Sequence, residues 1–222
     1  MSLLVEIKRD AFICHLTDRE APVSVPVPPA AISDLEVRDE TALATAMQAV
    51  FGKKPAKPTI PAVLVLSDDA CFYKRVTGGE TADLKEKFAA EVPFSRVATV
   101  VIRTKDSTIF VATNTELYET VSRLLKEMGY PVTMVVPRAA LTQIGIGQEV
   151  SIDRTVAKRI IDARQQLQPM EFPCDQSQPE ITDTEKTGEG GKKAVLSKGW
   201  IIFLGLAGLY VVAMAIFFLL RR

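Results

Sequence analysis

The sequence predicts an α+β domain that carries a split βαβ, ferredoxin-like module, followed by a flexible tether and one C-terminal transmembrane helix. Three observations lead there. Short apolar runs alternate with helical patterns over the first 167 residues, residues 168–198 have the composition of a linker, and residues 200–220 contain no charge. With 222 residues, 47% of them hydrophobic and 24% charged, the chain holds one domain of ordinary size and something smaller. Lys+Arg and Asp+Glu both count 27, so no basic excess exists to neutralise a run of phosphates, which argues against a nucleic-acid partner. The three cysteines, Cys14, Cys71 and Cys174, form no CxxC pair, and the chain has a single histidine. Neither a disulfide framework nor a zinc site is supported, no other metal or cofactor is expected, and the expected compartment is reducing.

Strand and helix signals follow one another closely. Residues 3–7 and 11–16 are apolar runs around the polar Lys8, Arg9 and Asp10, the pattern of a hairpin, and residues 23–27 form another extended stretch bounded by Pro22, Pro26, Pro28 and Pro29. Leu43, Ala46, Met47 and Val50 then recur at i, i+3, i+4, i+7, the spacing of one helix face, with Gly52 placed to stop it. Residues 62–66 read as a buried strand and 71–76 as a second, with Gly78 and Gly79 as a break.

From Thr81 a helix presents Leu84, Phe88 and Val92, and Pro93 ends it. Residues 96–104 and 107–113 flank Lys105 and Asp106 as two antiparallel strands would. A strong helix spans 114–129, with a cap at Asn114 or Thr115, apolar Leu117, Val121, Leu124, Leu125 and Met128, and Gly129 at its stop. Residues 131–137 are a strand. Strand, helix, two strands, helix, strand is the order of a ferredoxin-like unit. A last helix over 153–167 sets Val156, Ile160, Ile161 and Leu167 on one side and charges on the other. The domains expected are 1–77, 78–167, a linker over 168–198 and an anchor over 199–222.

The anchor opens at Trp200 and closes at Leu220, 21 residues without a charge, which as a helix span about 31 Å and match the hydrocarbon core of a bilayer. Tyr210 lies within it. Gly205, Ala207, Gly208, Ala213 and Ala215 would permit close helix contact and a homodimer, although no pair has the GxxxG spacing. Lys186, Lys192, Lys193 and Lys198 precede the span and only Arg221 and Arg222 follow it, which puts the N-terminal domain on the cytoplasmic side. Glu6, Lys8 and Arg9 fall where a signal peptide would be apolar. The part before the span carries two more acids than bases, so it gains little from anionic lipid and depends on the helix for attachment. The tether holds three prolines, three glycines and no apolar period, too little to offset its ordering entropy, and Cys174 within it reads as an ordinary exposed thiol.

Residues 25–141 resemble the actin-like assembly proteins of type IV pili and type II secretion, the PilM and GspL group. The resemblance rests on VPPAAISDLEVRDETALATAMQAVFG, AVLVLSDDACFYKRV, EVPF and LYETVSRLLKEMGYPVTMVVPRAAL. It implies one lobe of an actin-like (ribonuclease H-like) fold with an inserted ferredoxin-like subdomain, tail-anchored beside inner-membrane pilus or secretion assembly proteins. The departures bear on chemistry. Actin-like ATPases end their first strand in Asp-x-Gly, whose carboxylate holds magnesium through water and whose glycine lets backbone amides approach phosphate; here the place reads Glu6-Ile7-Lys8-Arg9. After Leu141 the chain passes through GIGQE into a helix, where the family would begin the second half of its nucleotide cleft. Neither GxxxxGK[ST] nor GxGxxG occurs, and Gly145-x-Gly147 reads as a loop hinge.

Other constellations carry no catalytic expectation. Cys14 and His15 are strand neighbours and point to opposite faces, so they cannot share a substrate or metal. Asp68 and Asp69 lie between two strands, where acids cap a turn. Two readings follow: a membrane-anchored scaffold that acts by protein contacts without catalysis, or a divergent nucleotide-dependent switch whose cleft a second chain completes.

Overall fold

The computed structural model describes residues 1–52, 59–77 and 82–174. The expected anchor, with Trp200, Gly205, Gly208, Tyr210 and Leu220, and the flanking Lys192, Lys193 and Lys198 lie outside the described residues. Among the described residues no helix is long and apolar enough to cross a membrane.

β1 (Leu3–Ile7) and β2 (Ala11–Leu16) form the expected hairpin, and β3 (Val23–Pro26) extends it antiparallel. β4 (Ile32–Ser33) and β5 (Glu36–Val37) then make a small hairpin whose turn residues, Asp34 and Leu35, both have positive φ, 51° and 65°. That is the two-residue turn whose twist matches paired strands, and it places the β-carbon of a buried leucine where glycine is usually found. α1 (Glu40–Phe51) is capped by the Asp39 carboxylate, which accepts from the Ala42 amide, and it buries Leu43 and Met47.

β6 (Ala62–Leu66) runs parallel to β1 in unbroken register. β1 and β6 are buried at every position, so both read as apolar runs rather than alternations; Glu6 is the exception. β7 (Phe72–Val76), α2 (Ala82–Glu91), β8 (Val97–Arg103) and β9 (Thr108–Asn114) follow. α3 (Thr115–Glu127) leads into β10 (Val132–Pro137), and α4 (Arg154–Asp162) and α5 (Arg164–Leu167) close the series. The helix expected over 153–167 breaks at Ala163.

The strands sort into a five-stranded sheet of order β10-β6-β1-β2-β3 and a three-stranded antiparallel sheet of order β7-β9-β8. This corrects the ferredoxin-like expectation. Three strands take the order such a module requires, but the fourth, β10, pairs in parallel with β6 in the larger sheet. The run Val132–Pro137 is buried over its last four residues and finds a fully apolar neighbour in β6, which the edge strand β7, exposed at three of its five positions, does not offer. The boundary between 77 and 78 also falls in the wrong place: β7 belongs to the small sheet, whereas β10 belongs to the large one. The described residues lie in one compact unit.

One continuous core joins the large sheet, α1, α3, α4 and one face of the small sheet through Ala98, Val100, Ile102, Ile109 and Val111. A second, smaller cluster sits on the other face, where α2 brings Phe88 and Val92 onto Phe110 and Ala112. Fully burying a leucine, isoleucine or phenylalanine contributes about 1.5–3 kcal/mol, so the larger core dominates the stability.

Of the tether expected over 168–198, residues 175–198 lie outside the described residues, and residues 168–174 belong to the folded unit. Residues Gln168–Met170 form a 3-10 turn, Phe172 is fully buried and stacks on Tyr118 at 5.9 Å, and its amide donates to the Val135 carbonyl at 2.8 Å. Tyr118 Oη donates to the Pro173 carbonyl at 2.7 Å. Cys174 is half-buried beside Ser122 rather than an exposed thiol.

Candidate functional site

The C-terminal ends of β1, β6 and β10 lie side by side, since Leu66 pairs with both Ile7 and Pro137. In open sheets with parallel strands this is the edge outside which ligands bind. An open cleft of about 440 Å³ lies there, lined by Glu6 and Lys8 from the first strand end, Ser67, Asp68 and Asp69 from the second, and Arg138, Glu149, Ser151 and Ile152 from the third and the loop beyond it. Four carboxylates stand against two cations.

Six of the polar residues at this edge, Glu6, Lys8, Ser67, Asp68, Asp69 and Arg138, have partners within the chain. Glu6 is 4% exposed, and its carboxylate accepts from the Arg138 guanidinium. Lys8 Nζ stands 3.8 Å from its other oxygen. Arg138 also donates through Nε to the Gln148 carbonyl at 3.1 Å and through Nη2 to the Val150 carbonyl. One guanidinium thereby joins the end of β10, the end of β1 and the loop over 145–152. The 3-10 turn just before the loop is held by Arg159, whose guanidinium donates to the Ile144 carbonyl. Gly145, expected as a hinge, is instead the left-handed cap of the 3-10 turn Arg138–Ile144, with φ 72°. The positive φ favours glycine, and a β-carbon there would stand 3.1 Å from Arg159 Nη2, close enough to press on that guanidinium.

The two aspartates are engaged as well. Asp69 accepts from the Arg9 amide at 3.2 Å and from Ser67 Oγ, and Ser67 Oγ stands 2.6 Å from the Ile7 carbonyl. The β1–β2 turn amide, which in a phosphate loop would face a ligand oxygen, here faces an internal carboxylate. Asp68 accepts from Tyr73 Oη at 2.7 Å. Contrary to the sequence expectation, neither acid caps the turn it lies in: Asp69 reaches across to the β1–β2 turn and Asp68 takes a tyrosine hydroxyl.

The resemblance implies magnesium nucleotide, and the residues present do not fit it. The strand-end carboxylate is bound to an arginine, the turn amide is taken by Asp69, the loop offers carbonyls rather than amides, and the excess charge is negative. Among the described residues no three His, Cys, Asp or Glu side chains are grouped so as to hold a metal ion.

Cys14 and His15 occupy opposite faces of β2 as expected, and both are buried, at 2% and 4% exposure. Burial pushes the Cys14 thiol up to about 12, which removes the thiolate a nucleophile needs. Burial also lowers the His15 pKa, against the opposing pull of Glu6 and Asp153. Its Nε2 has no hydrogen-bond partner. The Cys71 thiol is likewise raised, mainly by burial.

Sequence reasoning missed Arg138. Its spacing carries no motif, and only the parallel pairing of β10 with β6 brings it within reach of Glu6.

No family model matches the chain, and no curated protein matches it. Among solved structures it is similar to a PilM-PilN type IV pilus biogenesis complex, with 17% identity and a TM-score of 0.44 over 64% of this chain and 49% of that one. A second is the cytoplasmic domain of EpsL, an inner membrane component of the type II secretion system of Vibrio cholerae, with 14% identity and a TM-score of 0.36 over 62% and 56%. A third is a Bacteroides thetaiotaomicron protein of actin-like ATPase fold and unknown function, with 11% identity and a TM-score of 0.35 over 65% and 55%. The chain spans about half the length of each. These solved structures include the PilM and secretion proteins that residues 25–141 resemble, and the chain is similar to them.

Proposed function

We propose that this protein is a non-catalytic scaffold of a type IV pilus-like or type II secretion-like assembly machine, held at the inner membrane by residues 199–222 with its folded unit in the cytoplasm. The observation that carries the reading is the Glu6–Arg138 pair. It engages, from within the chain, the strand-end carboxylate at the edge where an actin-like lobe would cradle phosphate, and leaves the folded unit to act through its surface. The uncharged run over 200–220 supports attachment to the bilayer.

The test uses the full chain purified in detergent. Its melting temperature should not respond to millimolar ATP with magnesium. A ligand at 100 times its dissociation constant would add about 2.7 kcal/mol, several degrees for a unit of this size. A rise of that order, abolished by chelating magnesium, would overturn the scaffold and favour a switch. Cross-linking in native membranes should recover inner-membrane pilus or secretion components; recovery of none of them would remove the assignment to such a machine.

A further inference from the structure

The two larger sheets have four edges among the described residues, and three carry a feature that disfavours another strand. On β10, the Val135 carbonyl receives the Phe172 amide at 2.8 Å. β3 ends in Pro26, with Pro22 before it and Pro28 and Pro29 after it, residues that cannot donate to a ladder. β8 packs beneath α2 and the turn at Gln168–Met170, and it exposes only its last residue, Arg103.

β7 is different. It pairs with β9 alone, in unbroken register from Phe72 to Val76, without proline or bulge. Both of its faces are partly open, since the neighbours Phe72 and Tyr73, one on each face, are 38% and 36% exposed. A regular edge that leaves large apolar side chains in water is a template for another strand.

Charge selects the occupant. Lys74 is bonded to Glu91 at 2.7 Å, whereas Arg75 is exposed and has no ion-pair partner among the described residues. Lys105 and Asp106 are exposed in the turn just beyond Thr108, the partner of Val76. A second copy of this chain fits poorly, because the full antiparallel register of β7 on itself sets Lys74 against Lys74.

We infer that β7 takes an extended acidic segment of a partner protein as a fourth strand of the small sheet. This rests on the scaffold reading and deepens it by naming the surface and the partner's chemistry. The partner's backbone pairs with the free edge. A residue opposite Phe72 packs on the edge-on Phe72–Phe94 pair, whose centroids are 5.5 Å apart, and an acid opposite Arg75 meets its guanidinium on the other face. The partner alternates apolar and acidic residues.

The test is binding of the full chain in detergent to a labelled TVEVEVT peptide, followed by fluorescence anisotropy. Binding should weaken at least tenfold for the TVKVKVT peptide, for TVEVEVT N-methylated at alternate residues, and for TVEVEVT with the Arg75→Glu chain, which should instead prefer the lysine peptide. Arg75 is exposed, so the substitution leaves the fold intact, as an unchanged melting temperature would verify. Absence of binding, or binding indifferent to N-methylation or to Arg75→Glu, would overturn the proposal. Self-association abolished by Arg75→Glu would assign the edge to a second copy and also overturn it. Such failures leave the nucleotide and cross-linking results standing, so the scaffold reading falls or survives separately.

Discussion

The Arg138 guanidinium and the Glu6 carboxylate, 132 residues apart in sequence, form an ion pair at the C-terminal ends of β10 and β1. Side-chain exposures of 11% and 5% leave water little part in it. Removing one partner of such a pair strands the other charge, which costs about 3–5 kcal/mol. Arg138→Met should therefore destabilise the protein by about that amount in urea unfolding. It should also open the loop over 145–152 to proteolysis, since the Gln148 and Val150 carbonyls lose their donor. Glu6→Gln with Arg138→Met should cost less than the sum of the single changes; additivity would show that the two residues are uncoupled.

His15 makes stability depend on pH. Burial holds its folded pKa below the ordinary 6.5, so the unfolded chain binds the proton more readily. The contribution is complete above about 6.5 and is lost as pH falls from there through the folded value, below which it levels. Melting temperature measured from pH 8 to 5 should fall in that window. His15→Leu should flatten this part of the profile, and an unchanged slope would assign it to other groups.

Asn114 serves two elements at once. Its Oδ1 accepts from the Glu116 amide and so caps α3, while its Nδ2 donates to the Leu35 carbonyl in the β4–β5 turn, both at 3.0 Å. Asn114→Ala should cost about 2 kcal/mol or more, because a cap is lost and a buried carbonyl is orphaned. Asn114→Asp keeps the acceptor and loses the donor, so it should recover only part of the loss in denaturant unfolding.

A fragment of residues 1–174 should fold as a unit, whereas one ending at 167 should be less stable by about 3–5 kcal/mol. The shorter fragment removes Phe172, which is fully buried against Tyr118. Equal midpoints in urea would show that the segment after Leu167 only rests on the surface.

Sidedness follows from the proposed anchor. A cysteine placed at Lys198 should resist an impermeant thiol reagent in intact cells and react after lysis. Labelling before lysis would put the folded unit on the far side of the membrane.

Elements whose pattern is local could be read from the residues alone. α3 was legible because Leu117, Val121, Leu124 and Leu125 recur at helical spacing and Asn114 can cap with its own side chain, facts contained within 16 residues. β1, β2, β6, β9 and β10 were legible from short apolar runs. The Asp-x-Gly departure at Glu6 was also visible in four consecutive letters. Partner choice was not. Whether β10 closes the small sheet or joins β6 depends on which burial is greater across 70 residues of chain, and no periodicity within β10 encodes it. The same holds for Phe172: its surroundings read as linker, and only packing on Tyr118 and the hydrogen bond to Val135 of β10 make its burial favourable. Arg138 shows the limit most clearly. Its meaning lies in Glu6, Gln148 and Val150, and the parallel register of three strands, a property of the folded chain alone, brings them within hydrogen-bond reach.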